Sequence, residues 1–243
     1  MPKLYAGKLL FARDAFAPST VDVPRGKGHA MSRFIILLGG KLERTPRLDA
    51  QAAGARVIAA DAGMNHAKTL GLTPELWVGD FDSVTDDIAD EYAHVPQDRY
   101  PHDKDNTDGE LAVAEALARG ATSLVLAGAF GGRADHAFLH VALAIRRAKE
   151  GLPVIVTSGT QEAHPLLPGS RDFDFDDGTL FSILGFSHLS GVSVMGAKWP
   201  LDSVEVPFGS SLTLSNEVRG DLRISLAVGR ALLLAHPYPA ENI

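Results

Sequence analysis

The stretch LVLAGAFGGRADHAFLHVALAIRRAKEG, residues 124–151, decides the fold. Leu124 to Ala127 is a short, wholly apolar run, the pattern of a strand buried on both faces. Gly128 ends it, and a loop holding Gly131, Gly132 and Arg133 follows. From about Asp135 to Lys149, Ala137, Phe138, Val141, Ala142 and Ile145 recur at helical spacing, and Gly151 marks a stop. A buried strand followed by a helix is part of a βαβ unit, which pairs strands in parallel.

Outward from this stretch the pattern repeats. Phe34 to Leu38 runs into Gly39-Gly40, Arg56 to Ala60 into Asp61, and Glu75 to Val78 into Gly79-Asp80. A helix starts near Thr107, with Glu110 three residues on as a capping box, and stops at Gly120. Val154 to Thr157 leads into Ser158-Gly159. Strands alternating with helices predict an α/β domain with a parallel sheet. Asp61, Asp80, Asp82 and the Gly128–Asp135 segment each follow a strand, so they should converge on one sheet edge, where ligands bind. From about Thr160 the apolar runs shorten: Leu180 to Leu184, Leu212 to Leu214, Leu222 to Ala227. Pro168-Gly169, Asp177-Gly178 and Phe208-Gly209 separate them, which reads as an all-β second domain. The linker is expected near Ser158–Pro168.

The chain has 243 residues, 45% hydrophobic and 22% charged, ordinary values for a globular protein that buries a core. A formal charge of −7 argues against a nucleic-acid-coating surface. Without cysteine, any metal must be held by oxygen or imidazole, and the composition suits a reducing, cytoplasmic setting. No apolar run is long enough to span a membrane, and Arg13 and Asp14 break up the N-terminal apolar stretch, so no signal peptide is expected. Residues 1–30 show no period and read as a tail, with Met31 a candidate natural start.

Three acidic motifs carry the chemistry: Gly79-Asp80-Phe81-Asp82-Ser83, Lys104-Asp105-Asn106-Thr107-Asp108 and Gly131-Gly132-Arg133-Ala134-Asp135-His136. In extended backbone, residues two apart share a face, so Asp80 and Asp82 could both meet one Mg²⁺ with Phe81 turned to the core; the alternative is two surface loop aspartates. Asp86, Asp87, Asp90 and Glu91 read instead as the solvated face of a helix. Asp105 and Asp108 bracket a helix start, where free N–H groups suit phosphate. In Gly131-Gly132-Arg133, glycines let amides approach an anion and Arg133 can grip phosphate oxygens bidentately, though the segment reads equally as a plain turn. No Walker A pattern is present. His140 reads as a satisfied helix-face histidine, and His136 as the one nearer the cleft. Trp199, between Lys198 and Pro200, reads either as core or as a loop ring able to stack on a flat cation.

Together with Asp61-Ala62-Gly63, Gly196-Ala197-Lys198-Trp199-Pro200-Leu201 and Leu214-Ser215-Asn216-Glu217, these motifs resemble those of the thiamine pyrophosphokinase (thiamine diphosphokinase) family, in the family's order, over roughly residues 33–235. The resemblance implies a parallel-sheet α/β domain (31–160) binding ATP and Mg²⁺. It also implies a β-sandwich domain (161–243) for thiamine binding and dimerisation, and a homodimer with shared active sites. It implies transfer of the β,γ-diphosphoryl group of ATP to thiamine, releasing AMP. By similarity Asp80, Asp82 and Asp108 would hold Mg²⁺, supported by Asp61, and would act with Arg133 in catalysis. Gly39, Gly40, Asp61, Lys104, Asp105, Arg133, Asp135 and His136 would serve ATP. Trp199, Ser215 and Asn216 would contact thiamine. The alternatives are diphosphoryl transfer to another acceptor, such as a hydroxymethylpterin, and a nucleotide-binding protein without turnover.

Overall fold

A computed structural model describes residues 32–82, 84–101 and 105–238. The readings of residues 1–30 as a tail, of Met31 as a start and of Lys104 as an ATP contact lie outside the described residues. The first part of the chain runs β1 (Arg33–Leu37), α1 (Pro46–Ala52), β2 (Arg56–Ala60), a 3-10 turn (Asp61–Met64) and α2 (Asn65–Leu70). It continues through β3 (Leu76–Gly79), α3 (Asp86–Glu91), β4 (Gln97–Arg99), α4 (Asp108–Ala118), β5 (Ser123–Ala127), α5 (Ala134–Lys149) and β6 (Val154–Thr157). Strands alone follow: β7 (Glu162–Leu166), β8 (Gly169–Phe173), β9 (Leu180–Gly185), β10 (Leu189–Ala197), β11 (Leu201–Val206), β12 (Asn216–Leu226) and β13 (Ala231–His236).

The first six strands pair in parallel in the order β6-β5-β1-β2-β3-β4. After β1 the chain adds strands on one side, and β5 then returns to the other. The strand order therefore reverses between β1 and β5, the place where open α/β sheets bind ligands at their carboxyl ends. The apolar runs explain the pairing. Ile35, Ile36 and Leu37 have no exposed surface because helices cover both faces: Ile36 packs with Ala112 and Val113 of α4, and Ile35 with Leu48 of α1 and Ala67 of α2.

β7 turns back antiparallel to β6, and an antiparallel region follows through β13, β9, β12, β10 and β11, with β8 on β12. Phe181 and Ile183 of β9, Leu233 of β13, and Val194 and Leu222 of β10 and β12 share one core.

Three expectations need correction. Ser158–Pro168 is not a loose linker, since it contains β7, buried at every position and paired on both sides. Leu212 to Leu214 is a turn, because Ser210 Oγ and the Ser211 carbonyl accept from Leu212 N and Leu214 N at 3.2 and 3.1 Å. Its leucines stay exposed, and only Thr213 is buried, bonded to Ile183. In α5 the helix is as expected but the buried face is rotated. Phe138 and Ala142 are exposed, and Leu143 and Ala144 face the core with Val141 and Ile145.

Candidate active site

A cavity of about 440 Å³ opens at the carboxyl edge of the parallel sheet. It collects the segments just past β1, β2, β3 and β5, where buried strands give way to loops. Gly39 and Gly40 come from β1, Asp61 from β2, Asp80 and Asp82 from β3, Gly132 and Arg133 from the loop after β5, and Asp108 and His136 from the starts of α4 and α5.

The close approach of β1 and β5 dictates a glycine. A Cβ on Gly40 would strike the carbonyl oxygens of Gly128 and Phe130. Gly40 N donates to Gly128 O at 2.9 Å, and His66 Nε2 donates to Gly40 O at 2.9 Å. The loop is therefore fixed from two sides. His66 went unnoticed in the sequence because a lone histidine in α2 carries no motif.

Two non-glycine residues here adopt left-handed backbone, Asp61 with φ 44° and Phe81 with φ 65°. Such conformations cost of order 1–3 kcal/mol and persist only where the surroundings enforce them. Trp77 of β3, fully buried, donates Nε1–H to Asp61 O at 3.0 Å. The Phe81 ring meets Trp77 edge-on at 4.8 Å, with the Arg99 guanidinium 4.4 Å from its centroid. Phe81 thus packs against the core, as expected. The chain is not extended there, however: it turns, and Asp82 N donates back to Asp80 Oδ1 at 3.2 Å. Asp80 and Asp82 consequently do not present their carboxylates side by side from one strand face.

Asp61, Asp80 and Asp108 do come together, with one carboxylate oxygen of each within 4.8 Å of the others. All three are half-buried. Asp82 lines the same cavity but stands outside this trio. Three anionic oxygen donors this close suit a small, hard cation that keeps some water and binds phosphate, which is the preference of Mg²⁺. Asp108 is placed by α4, whose capping box is present. Thr107 Oγ1 accepts from Glu110 N at 3.3 Å, and Glu110 Oε2 from Thr107 N at 3.4 Å.

Arg133 precedes α5 and is exposed; Asp135 binds its guanidinium at 3.1 and 2.5 Å and accepts from His136 N at 3.0 Å. The Arg133 hydrogen bonds hold the Asp135 carboxyl down to about 2. Asp135 orients Arg133 but does not line the cavity, and Asp105 is exposed outside it. His140 is buried; its Nδ1 donates to Ala129 O at 3.2 Å, and burial lowers its pKa, so the ring is neutral. It is the satisfied histidine that the sequence suggested, yet it also lines the cavity.

Trp199, Ser215 and Asn216 stand apart from this cavity. Trp199 is 54% exposed, and the Lys198 ammonium lies 4.7 Å from its ring centroid. Ser215, at φ 57°, is exposed. Asn216 is buried and committed to backbone: Oδ1 accepts from Trp199 N at 3.1 Å and Glu217 N at 2.8 Å, and Nδ2 donates to Trp199 O at 2.8 Å. It clamps the Trp199 turn onto β12.

Fold and site place the chain among open α/β proteins that bind ligands at the carboxyl ends of a parallel sheet. Two family models match it: "Thiamin pyrophosphokinase, catalytic domain" over residues 50–156, and "Thiamin pyrophosphokinase, vitamin B1 binding domain" over residues 171–231. Together they cover well over half of the chain, and the chain belongs to the thiamin pyrophosphokinase family of enzymes. The chain is 29% identical to a thiamine pyrophosphokinase of Bacillus subtilis over 169 residues, 66% of this chain and 77% of that protein. The crystal structure of thiamine pyrophosphokinase from Bacillus subtilis superposes with a TM-score of 0.75 at 24% identity, covering 84% of this chain and 99% of that one. That of the Geobacillus thermodenitrificans protein gives 0.71 at 25% identity, covering 87% and 99%. Candida albicans thiamin pyrophosphokinase gives 0.70 at 14%, covering 84% and 88%.

Proposed function

We propose that this chain is a thiamine diphosphokinase, which moves the β,γ-diphosphoryl group of ATP to the hydroxyethyl oxygen of thiamine. An O–Pβ bond forms as the hydroxyl releases its proton, the bond from Pβ to the bridging oxygen breaks, and AMP leaves with that oxygen. The observation that carries the reading is the meeting of Asp61, Asp80 and Asp108 beside Gly40 and Arg133 at the point where the strand order reverses. Mg²⁺ held by the three carboxylates would neutralise charge on the triphosphate. The protein's own part is alignment. The starts of α4 and α5 would offer N–H groups to phosphate, with Gly39 and Gly40 leaving room for it beside them. Arg133, held in place by Asp135, adds charge-assisted hydrogen bonds that strengthen as charge shifts to the leaving oxygen. His136 lines the same cavity and would join these donors.

Residues 31–160 would thus carry ATP and metal in a nucleotide-binding domain, and residues 161–243, packed as a β-sandwich, would carry thiamine. Trp199 would offer a half-exposed ring to the flat thiazolium cation, a reading supported by the Lys198 ammonium 4.7 Å from the ring centroid. Because Trp199 and Ser215 lie outside the cavity of their own chain, a second copy would bring them to it. The exposed Leu212 and Leu214, next to Ser215, give such a copy apolar surface to cover. No helix among the described residues is long and apolar enough to cross a membrane, and a cytoplasmic homodimer is the reading we adopt. An acceptor panel tests it: thiamine should be turned over and a hydroxymethylpterin should not. Trp199→Ala should raise the thiamine KM about tenfold or more while leaving the ATP KM within about twofold. Preference for the pterin, or the opposite KM pattern, would refute the assignment.

A further inference from the structure

A second cavity, of about 300 Å³, lies at the other edge of the parallel sheet, where β1, β5 and β6 begin. Five-residue strands put it about 17 Å from the first cavity. Leu124 and Val154 belong to its apolar wall, and Arg33, Arg47 and Arg171 all line it.

Behind this lining is a buried polar network centred on Glu162 of β7, whose side chain is 3% exposed. Glu162 Oε2 accepts from Arg47 Nε at 3.1 Å and Gln51 Nε2 at 2.7 Å, and Oε1 from Arg47 Nη2 at 3.2 Å and His164 Nε2 at 2.6 Å. Both oxygens are saturated by these donors. Arg171 Nη2 lies 3.1 Å from His164 Nδ1. A guanidinium only donates, so Nδ1 accepts, the imidazole proton sits on Nε2, and His164 is neutral. Arg171 therefore hydrogen-bonds to an uncharged partner. Arg33 donates one N–H to the Gln51 carbonyl at 3.1 Å. No carboxylate among the described residues forms an ion pair with either Arg33 or Arg171. The network's other carboxylate, Asp174, pairs with Arg47 and is 94% exposed. Three guanidiniums thus face two carboxylates, leaving one surplus positive charge. Gln51 Nε2 is committed to Glu162, which fixes the amide, and its buried Oε1 has no hydrogen-bond partner among the described residues.

We propose that this cavity is a second ligand site, for a small organic oxyanion, a phosphate monoester or a carboxylate, that also carries a hydrogen-bond donor. The oxyanion takes the open N–H groups of Arg33 and Arg171, the donor group satisfies Gln51 Oε1, and the body rests on the apolar wall. Neither buried groups nor guanidiniums with open donors are needed for a plain surface depression, whereas this combination matches how charged ligands are gripped.

The test is calorimetric titration of the full chain with 4-hydroxyphenyl phosphate and, separately, 4-hydroxybenzoate. Saturable binding of either probe at one site supports the proposal and names the head group. Arg33→Gln and Arg171→Gln should each weaken it at least tenfold, while Arg133→Gln, in the first cavity, should leave it within twofold. Both variants at the second cavity should keep the basal diphosphokinase rate. Arg33 is exposed and makes one backbone hydrogen bond, so Arg33→Gln decides the matter if Arg171→Gln lowers the melting temperature. No saturable binding of either probe, or binding that Arg133→Gln abolishes and Arg33→Gln leaves intact, overturns the proposal.

Discussion

Asp61 and Phe81 show how single residues set this site. Each holds a left-handed backbone that no motif displays, and each is enforced by Trp77, which bonds the Asp61 carbonyl and packs against the Phe81 ring. Four carboxylates were named from the sequence for metal, and three of them, Asp61, Asp80 and Asp108, do meet. The extended backbone expected from Asp80 to Asp82 was misread because spacing alone cannot reveal a reversal at Phe81. The consequence is an unequal ranking. Asp108→Asn should lower kcat by about 100-fold or more with the fold intact. Asp82→Asn should cost less, and steady-state kinetics showing Asp82 to be the more sensitive of the two would remove the Asp61–Asp80–Asp108 trio from the metal site. Asn216 was expected to touch thiamine, yet its amide is spent on Trp199 and Glu217 backbone. Asn216→Ala should therefore mimic Trp199→Ala in thiamine KM and should also shift Trp199 fluorescence, a change that mere loss of a direct thiamine contact would not produce.

Among the elements, those with strong local signals were readable: the apolar strands, the capped α4 and the glycine-stopped α5. The segment Glu162–Leu166 was not, because its charged and polar side chains look like a linker. As a central strand it is accommodated by α1, whose Arg47 and Gln51 neutralise and satisfy Glu162. Burial alone would raise the Glu162 carboxyl, but hydrogen bonds from His164 and Arg47 and the Arg47 charge bring it down to about 2, from an ordinary 4.5. A depressed carboxylate stabilises the fold fully above its unfolded value and loses that contribution as pH falls toward its folded value. Thermal unfolding followed by circular dichroism should therefore show stability draining between about pH 4.5 and pH 2. Glu162→Gln should be less stable at pH 7, with a flatter profile across that window; an unchanged slope would remove Glu162 as its source. Trp77→Phe tests a second element, β3. It keeps most of the apolar volume but strands the Asp61 carbonyl, at about 1–3 kcal/mol. Turnover should fall along with stability, and a variant losing neither would show that Trp77 does not position Asp61.

On the scale of the whole molecule, one hydrogen-bonded path runs from β4 at one edge to β11 at the other, with β8 branching from β12. The carboxylate cavity sits in its parallel part, and Trp199 and Ser215 in its antiparallel part. The order of strands and helices made the first part legible, since Asp61, the Asp80–Asp82 motif and the Gly128–Asp135 segment each follow a strand. The second part was legible only as β structure, because short apolar runs do not reveal which strands pair. If a second copy completes the site, Leu212→Glu with Leu214→Glu should yield a monomer by light scattering that still binds Mg-ATP but no longer turns over. A fully active monomer would contradict the shared site. Phosphorus NMR of the purified protein with Mg-ATP and thiamine reads directly which group is transferred. AMP and thiamine diphosphate should form in equal amounts; ADP with thiamine monophosphate, or no consumption of ATP, would contradict diphosphoryl transfer.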